Sequence, residues 1–535
     1  MTAIMQTVLF MLTVLAAVAV AARKLNVAPS ILLVVAGVGM ALIPGLPPIR
    51  LAPEVVLLVF LPPLIYSAGV SMSWREFRFN LRPITLLAFG CVVFTTCAVA
   101  TAAHYLLGFD WGIGFVLGAI VAPPDTVAPL TIARQLTLPR RLVVVLEGEG
   151  LANDATALIL YRFAVAAVST TVFLPTAAVS TFALIVVGEI AFGIATGWLS
   201  LRLRKWAHDP RVEITLSLLT PYFAFWIPEH LGGSGVLATV ACGLYVSWNG
   251  PLTISATTRL QGIFFWDLIV YLIEGMVFLL TGLQARALLE QAQAFTIREL
   301  IVATACTTLM IIAARFVWVF PATYVPRWAS ASLRRRDPSP PWQQVFLLSF
   351  TGIRGVVSLA AALALPYAIV GDAPFPHREL ILFITFGVII VTLVGQGLML
   401  PTVVRWLGLN KLGKAERRHE IEAEIAGRKA ALEDVVRRLE TTASDRGLTE
   451  GILEHLRTRN THRIQVVPDN LQEGVERARA AAAIKRELIE AERAFIFQLL
   501  RDGKITDEAR RRIEYELDLE EASLNNRAKD GGGWI

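Results

Sequence analysis

The stretch EGEGLANDATALILYR, residues 147–162, sets Glu147, Glu149, Asn153 and Asp154 inside a run that otherwise reads as hydrocarbon. A carboxylate at the centre of a bilayer-spanning helix costs ~3 kcal/mol, while each good apolar residue returns only ~0.3–0.6 kcal/mol, so this segment cannot face lipid. Acidic groups held at that depth either pair with buried bases or mark a path for ions or protons. On a helix Glu149 and Asn153 share one face, and Glu147 and Asp154 share another. Other apolar segments supply charge at similar depth: Asp125 in VAPPDTVAP, Glu274 in LIEGMVF and Arg354 in SFTGIRGVVSL.

Arg354 is read as the only central arginine and is expected to form a structural ion pair with Glu149. That pairing leaves no base for Asp154, which is therefore expected to be functional, as is Asp125. Glu147 lies two turns from Arg140 and Arg141 and is expected to be satisfied by them or by water. For Glu189 and Glu274, a protonated side chain bonded to a backbone carbonyl explains structure and function equally well. Pro123 and Pro124 remove two backbone donors ahead of Asp125, and Gly352 and Gly355 flank Arg354, so both segments are expected to be interrupted helices. Interrupted helices persist inside a bilayer only where they line a cavity or meet an ion.

The elements that must position these residues are membrane helices. Of 535 residues 55% are hydrophobic and 17% charged, and mean hydropathy is +0.59, which excludes an ordinary soluble domain. Spans are expected at 3–22, 28–45, 54–72, 84–107, 112–133, 141–162, 176–200, 212–228, 233–248, 262–284, 298–321, 342–370 and 378–404, about 13 in all. Basic residues cluster after the odd-numbered spans, which puts the N-terminus outside and the tail in the cytoplasm. The segments holding Asp125 and Arg354 are an odd number of crossings apart and run in opposite senses, as inverted repeats would. The expected domains are a transmembrane region, 1–409, and a charge-rich helical tail, 410–535, in which Pro468 separates two helical parts and a helix begins at Thr506.

PPDTVA at 123–128, GEGLANDATAL at 148–158 and GIRGVVSLAAALALP at 352–366 together resemble the monovalent cation:proton antiporters of the bacterial and eukaryotic sodium/proton exchanger type. The resemblance covers essentially the whole membrane region. It implies an all-α fold of inverted repeats, with a dimerisation domain and a mobile core, that exchanges Na⁺, and in some members K⁺ or Li⁺, for H⁺. It also implies that Asp154 binds cation and proton in competition, that Asn153 is its paired asparagine, that Asp125 contributes from the unwound helix, and that Glu149 and Arg354 form a structural pair. The family commonly has threonine before that aspartate and serine after that glutamate. This chain has Pro124 and Gly150 instead, and Thr126 is the candidate to supply the missing hydroxyl.

The expected function is therefore an electroneutral Na⁺/H⁺ antiporter of the cell membrane, serving pH and sodium homeostasis, with a K⁺/H⁺ antiporter or a cation channel as rival readings. The expected partners are monovalent cations, protons, the lipid bilayer and a second copy of the chain, with no nucleic acid. No cofactor is expected beyond the transported Na⁺ and H⁺, and the Na⁺ site is expected at Asp154 and Asp125. The seven histidines and four cysteines form no cluster suited to a membrane enzyme or a transition metal. A channel would call for repeated carbonyl or carboxylate rings, and no filter-like stretch is visible.

Overall fold

The computed structural model describes residues 2–25, 27–44, 51–169, 175–368, 374–446, 450–466 and 471–529. Residues 46–50 and 371–373 of the stretches between the expected spans, and Pro468, lie outside the described residues. Among those described, helices dominate. In the first half they are α1 Thr2–Leu25, α2 Pro29–Ala41, α3 Leu61–Ser71, α4 Trp74–Phe79, α5 Leu81–Thr85, α6 Val92–Leu107, α7 Trp111–Val121, α8 Val127–Leu136 and α9 Arg140–Ser169. After α10 Pro175–Ala207 come α11 Pro210–His230, α12 Val236–Thr253, α13 Ala256–Leu283, α14 Ala285–Gln291, α15 Ile297–Ala329, α16 Ala331–Arg336, α17 Trp342–Phe350, α18 Val356–Leu363, α19 Arg378–Ile390 and α20 Gly397–Trp406. The remainder are α21 Leu409–Arg446, α22 Glu450–Val466, α23 Leu471–Arg501 and α24 Asp507–Lys529. Single π-helical turns join α5 to α6 and α19 to α20 and precede α3.

Seven helical stretches among the described residues are long and apolar enough to cross a membrane unaided, and Pro29–Ala41, Val55–Ser71 and Trp111–Val121 are shorter apolar helices. The other expected spans fall on α11, α12 and the interrupted pair α17/α18. The sixth span is longer than its apolar run suggests, because α9 continues to Ser169. Leu184, Phe223, Phe264 and Leu309 stay exposed, as lipid-facing side chains do.

The chain divides into two compact units, Met1–Gly413 and Lys414–Ile535. Within the first unit, α1, α2, α3, α10, α11, α12 and α13 pack among themselves, and α6, α7, α9, α15, α17, α18 and α19 form a second bundle. Close approach in the first bundle depends on glycine. A Cβ at Gly37 would stand 2.9 Å from the Gly282 Cα, and one at Gly243 would stand 3.0 Å from the Gly69 Cα. The bundles meet where α3, α12 and α13 face α9 and α18.

The second bundle repeats a motif: α6, the interrupted pair α7/α8 and α9 recur as α15, α17/α18 and α19–α20. α7 stops because neither Pro123 nor Pro124 has an N–H to continue its ladder. The second interruption, residues 351–355, holds Gly352 and Gly355. The two extended segments cross, and Asp125 N–H donates to the Ile353 carbonyl at 2.6 Å. In the second unit α23 packs on α24 through Ile489, Ile513, Leu517 and Leu524. Thr506 caps α24 by accepting the Ala509 N–H at 3.2 Å.

Candidate functional site

A cavity of about 690 Å³ lies between the two bundles, and Asp125, Thr126 and Asp154 line it. Its wall also carries Glu147, Asp267 and Glu274 and, among the described residues, no lysine, arginine or histidine. On α9 its lining extends from Glu147 to Asp154, within the half that begins at Arg140, and along the π-helical turn and α3 it extends from Val56 to Ser71.

The crossing shapes the site. Asp125 Oδ1 accepts the Val127 N–H at 3.0 Å, placing a carboxylate at the electropositive start of α8. Its Oδ2 is buried with no hydrogen-bond partner. Asn153, fully buried on α9, donates its side-chain amide to the Pro124 carbonyl at 2.6 Å, while its Oδ1 is also buried and unpartnered. Asn153 therefore ties α9 to the first interruption and does not line the cavity, whereas Asp154, one position on, does. Asp125 and Asp154 lie within electrostatic reach of each other.

Gly355 is required by space. A Cβ there would stand 2.6 Å from the Asp125 Cβ and 2.7 Å from its Oδ2. Gly150 is required for a related reason, because a Cβ on it would fall on the Thr126 hydroxyl. The Thr126 Oγ1 thus occupies the place where a serine at 150 would begin.

The expected pairing of Glu149 with Arg354 is incorrect. Glu149 is held by Arg315 of α15, whose two terminal nitrogens lie 2.5 and 2.8 Å from the two carboxylate oxygens. Both side chains are buried, at 0% and 2% exposure, and Arg315 Nε completes the arrangement on the Leu348 carbonyl at 3.1 Å. Arg354 serves the interruption instead. It donates to the Val121 carbonyl at 2.7 Å and the Ala122 carbonyl at 3.2 Å, and to the Gly352 carbonyl. An unbroken helix would present the Asp125 and Thr126 amides to those first two oxygens. With the ladder stopped, a cation at the electronegative end of α7 takes their place. The Thr392 hydroxyl accepts the Arg354 backbone N–H at 3.0 Å.

Arg315, Asp267 and Thr392 were not singled out from sequence. Asp267 was accessible to it, since it precedes Glu274 by two helical turns in WDLIVYLIE and shares its face. Glu189 is a structural group. Buried on α10, it accepts the Ser234 N–H at 2.5 Å, the Gly235 N–H at 3.2 Å and the Leu237 N–H at 3.1 Å, fixing the start of α12.

The profile described as "Sodium/hydrogen exchanger, transmembrane" matches residues 10–406. The chain belongs to the sodium/hydrogen exchanger family. This exchanger is 33% identical, over 94% of its chain and 93% of the relative, to an uncharacterized Na⁺/H⁺ exchanger of Mycobacterium tuberculosis. It is 32% identical to the Na⁺/H⁺ antiporter ApNhaP of Aphanothece halophytica over 77% of its own chain and 75% of that protein. It is also 32% identical to a "Sodium, potassium, lithium and rubidium/H(+) antiporter" of Bacillus pumilus, over 68% of its chain and 56% of that protein. Its fold is similar to that of the sodium proton antiporter MjNhaP1 of Methanocaldococcus jannaschii, with a TM-score of 0.60 at 16% identity over 76% of this chain and 97% of that one. The exchanger is thus a multi-pass membrane antiporter.

Proposed function

We propose that the exchanger moves one Na⁺ against one H⁺ by alternating access, with Asp154 as the group that holds either ion and Asp125 and Thr126 as further oxygen donors. The observation carrying this reading is the convergence of Asp125, Thr126 and Asp154 on a cavity with, among the described residues, no basic wall residue, beside two crossed interruptions. Carboxylate and hydroxyl oxygens are hard ligands suited to alkali cations. Among the described residues no three His, Cys, Asp or Glu side chains gather as a transition-metal site. Asn153 cannot ionise, so a site titrating through Asp154 alone exchanges one charge for one charge. K⁺ is the second candidate, because the Bacillus pumilus relative is described as acting on sodium, potassium, lithium and rubidium.

The rest of the proposal concerns arrangement. The cavity opens to the cytoplasm, the N-terminus lies outside, a homodimer forms through the bundle containing α1–α3 and α10–α13, and the tail modulates exchange.

In proteoliposomes, Na⁺ should dissipate an imposed pH gradient saturably, and reversing a valinomycin-set potassium diffusion potential should leave the rate unchanged. Conductance without counterflow would favour a channel. Acceleration or arrest by voltage would show that a second proton moves, with Asp125 as its carrier.

The hydroxyl has its own test. Gly150→Ser alone should collide with Thr126 and depress exchange, and Thr126→Ala alone should weaken cation affinity by roughly tenfold, about 1.4 kcal/mol. The double substitution Gly150→Ser, Thr126→Gly, which also clears the Thr126 Cβ that stands 2.9 Å from the Gly150 Cβ position, should restore much of the affinity by returning an oxygen close to the same place. Additive losses in the double variant would remove Thr126 from the site.

A further inference from the structure

On α9 the cavity lining ends at Asp154, and Arg162 stands beyond it. It lies eight residues past Asp154, roughly 12 Å along the helix at 1.5 Å per residue. Its side chain donates to the Gly233 carbonyl at 2.6 Å and to the Glu229 carboxylate. Both partners belong to the opposite bundle, Glu229 at the end of α11 and Gly233 in the short loop before α12. That loop is itself immobilised, because Glu189 takes the amides of Ser234, Gly235 and Leu237. Next to this bridge α9 packs on α12, and Leu158, one turn past Asp154, is buried.

We infer that Arg162, with Glu229 and the Gly233 carbonyl, is a latch that holds the two bundles together on the Arg162 side of Asp154 and must release once in each cycle. The inference rests on the alternating-access reading. For Asp154 to open to that side, α9 must part from α12, and the two charge-assisted bonds from Arg162 join the parting surfaces. Glu189 gives the latch its footing: with the loop pinned to α10, movement of α9 must break the Arg162 bonds and cannot drag the loop along. Arg162 is a positioning residue. It touches neither cation nor proton, and its effect is on which side of the site is open.

The test reads accessibility. In a full-length background with Cys91, Cys97, Cys242 and Cys306 replaced by alanine, Leu158→Cys is labelled with an impermeant thiol reagent applied from either face. Arg162→Ala and Glu229→Gln should each speed labelling from the Arg162 face by roughly threefold or more, with Arg162→Lys in between. Glu229→Gln carries the test if Arg162→Ala does not insert. Unchanged labelling in the variants overturns the latch. So does an equal gain at Val144→Cys, a buried position on the cavity half of α9, since that would report general loosening. Na⁺-driven proton movement by the unsubstituted protein tests the transport reading separately.

Discussion

Asp154→Asn abolishes exchange while leaving the protein inserted and folded. The substitution conserves shape, so the α9 contacts around it persist, but the amide neither carries the proton nor balances a cation. Loss should be complete within detection, at least about a hundredfold, because on the proposed reading Asp154 is the one group for which both ions compete and its removal leaves no coupled pathway. Na⁺-dependent pH change in proteoliposomes reads it, with heat stability as the check on folding. Retention of a tenth or more of the parental rate would transfer the coupling role to Asp125, whose Oδ2 is likewise buried and unpartnered.

Arg315→Ala should be the most damaging substitution for stability. It leaves Glu149 buried and unpaired, at a cost of about 3–5 kcal/mol. Glu149→Gln combined with Arg315→Met should recover a large part of that loss, because the double change removes both buried charges. Arg354→Ala should behave differently. It exposes the Val121 and Ala122 carbonyls to an interior without donors, and neutralising Glu149 does nothing for them. A double-mutant cycle separates the two arginines: strong coupling is expected between 149 and 315, and little between 149 and 354. If Glu149→Gln rescues Arg354→Ala and leaves Arg315→Ala impaired, the assignment of partners is reversed.

The sequence carried the depth of each charge but not its direction around the helix. The runs of apolar residues placed the spans, and Pro123, Pro124, Gly352 and Gly355 located both interruptions, because donor loss and small side chains are local properties. Asp125 and Asp154 stood out for the same reason, as uncompensated charge in hydrocarbon. Pairing Glu149 required knowing which helices touch. Arg315 lies on α15 and Arg354 in the second interruption, and only the packing of α15 within the second bundle brings Arg315 to Glu149. One clue was available in the chain. The prolines stop α7, which leaves the last carbonyls of the helix without amide donors, and a lone arginine between glycines is a suitable donor for them. Thr126 standing over Gly150 depends on the path of the extended segment, which no residue pattern specifies.

The acidic wall that Asp125, Glu147, Asp154, Asp267 and Glu274 give the cavity also makes it a small Donnan compartment. A negative potential that concentrates monovalent ions by some factor concentrates divalent ions by the square of that factor. Magnesium and calcium therefore crowd the vestibule out of proportion to their bulk levels, and they screen the carboxylates that draw in the transported ion. The rate at which this exchanger loads its cargo then depends partly on divalent ions, so the free divalent content of the compartment facing the cavity becomes an input to exchange.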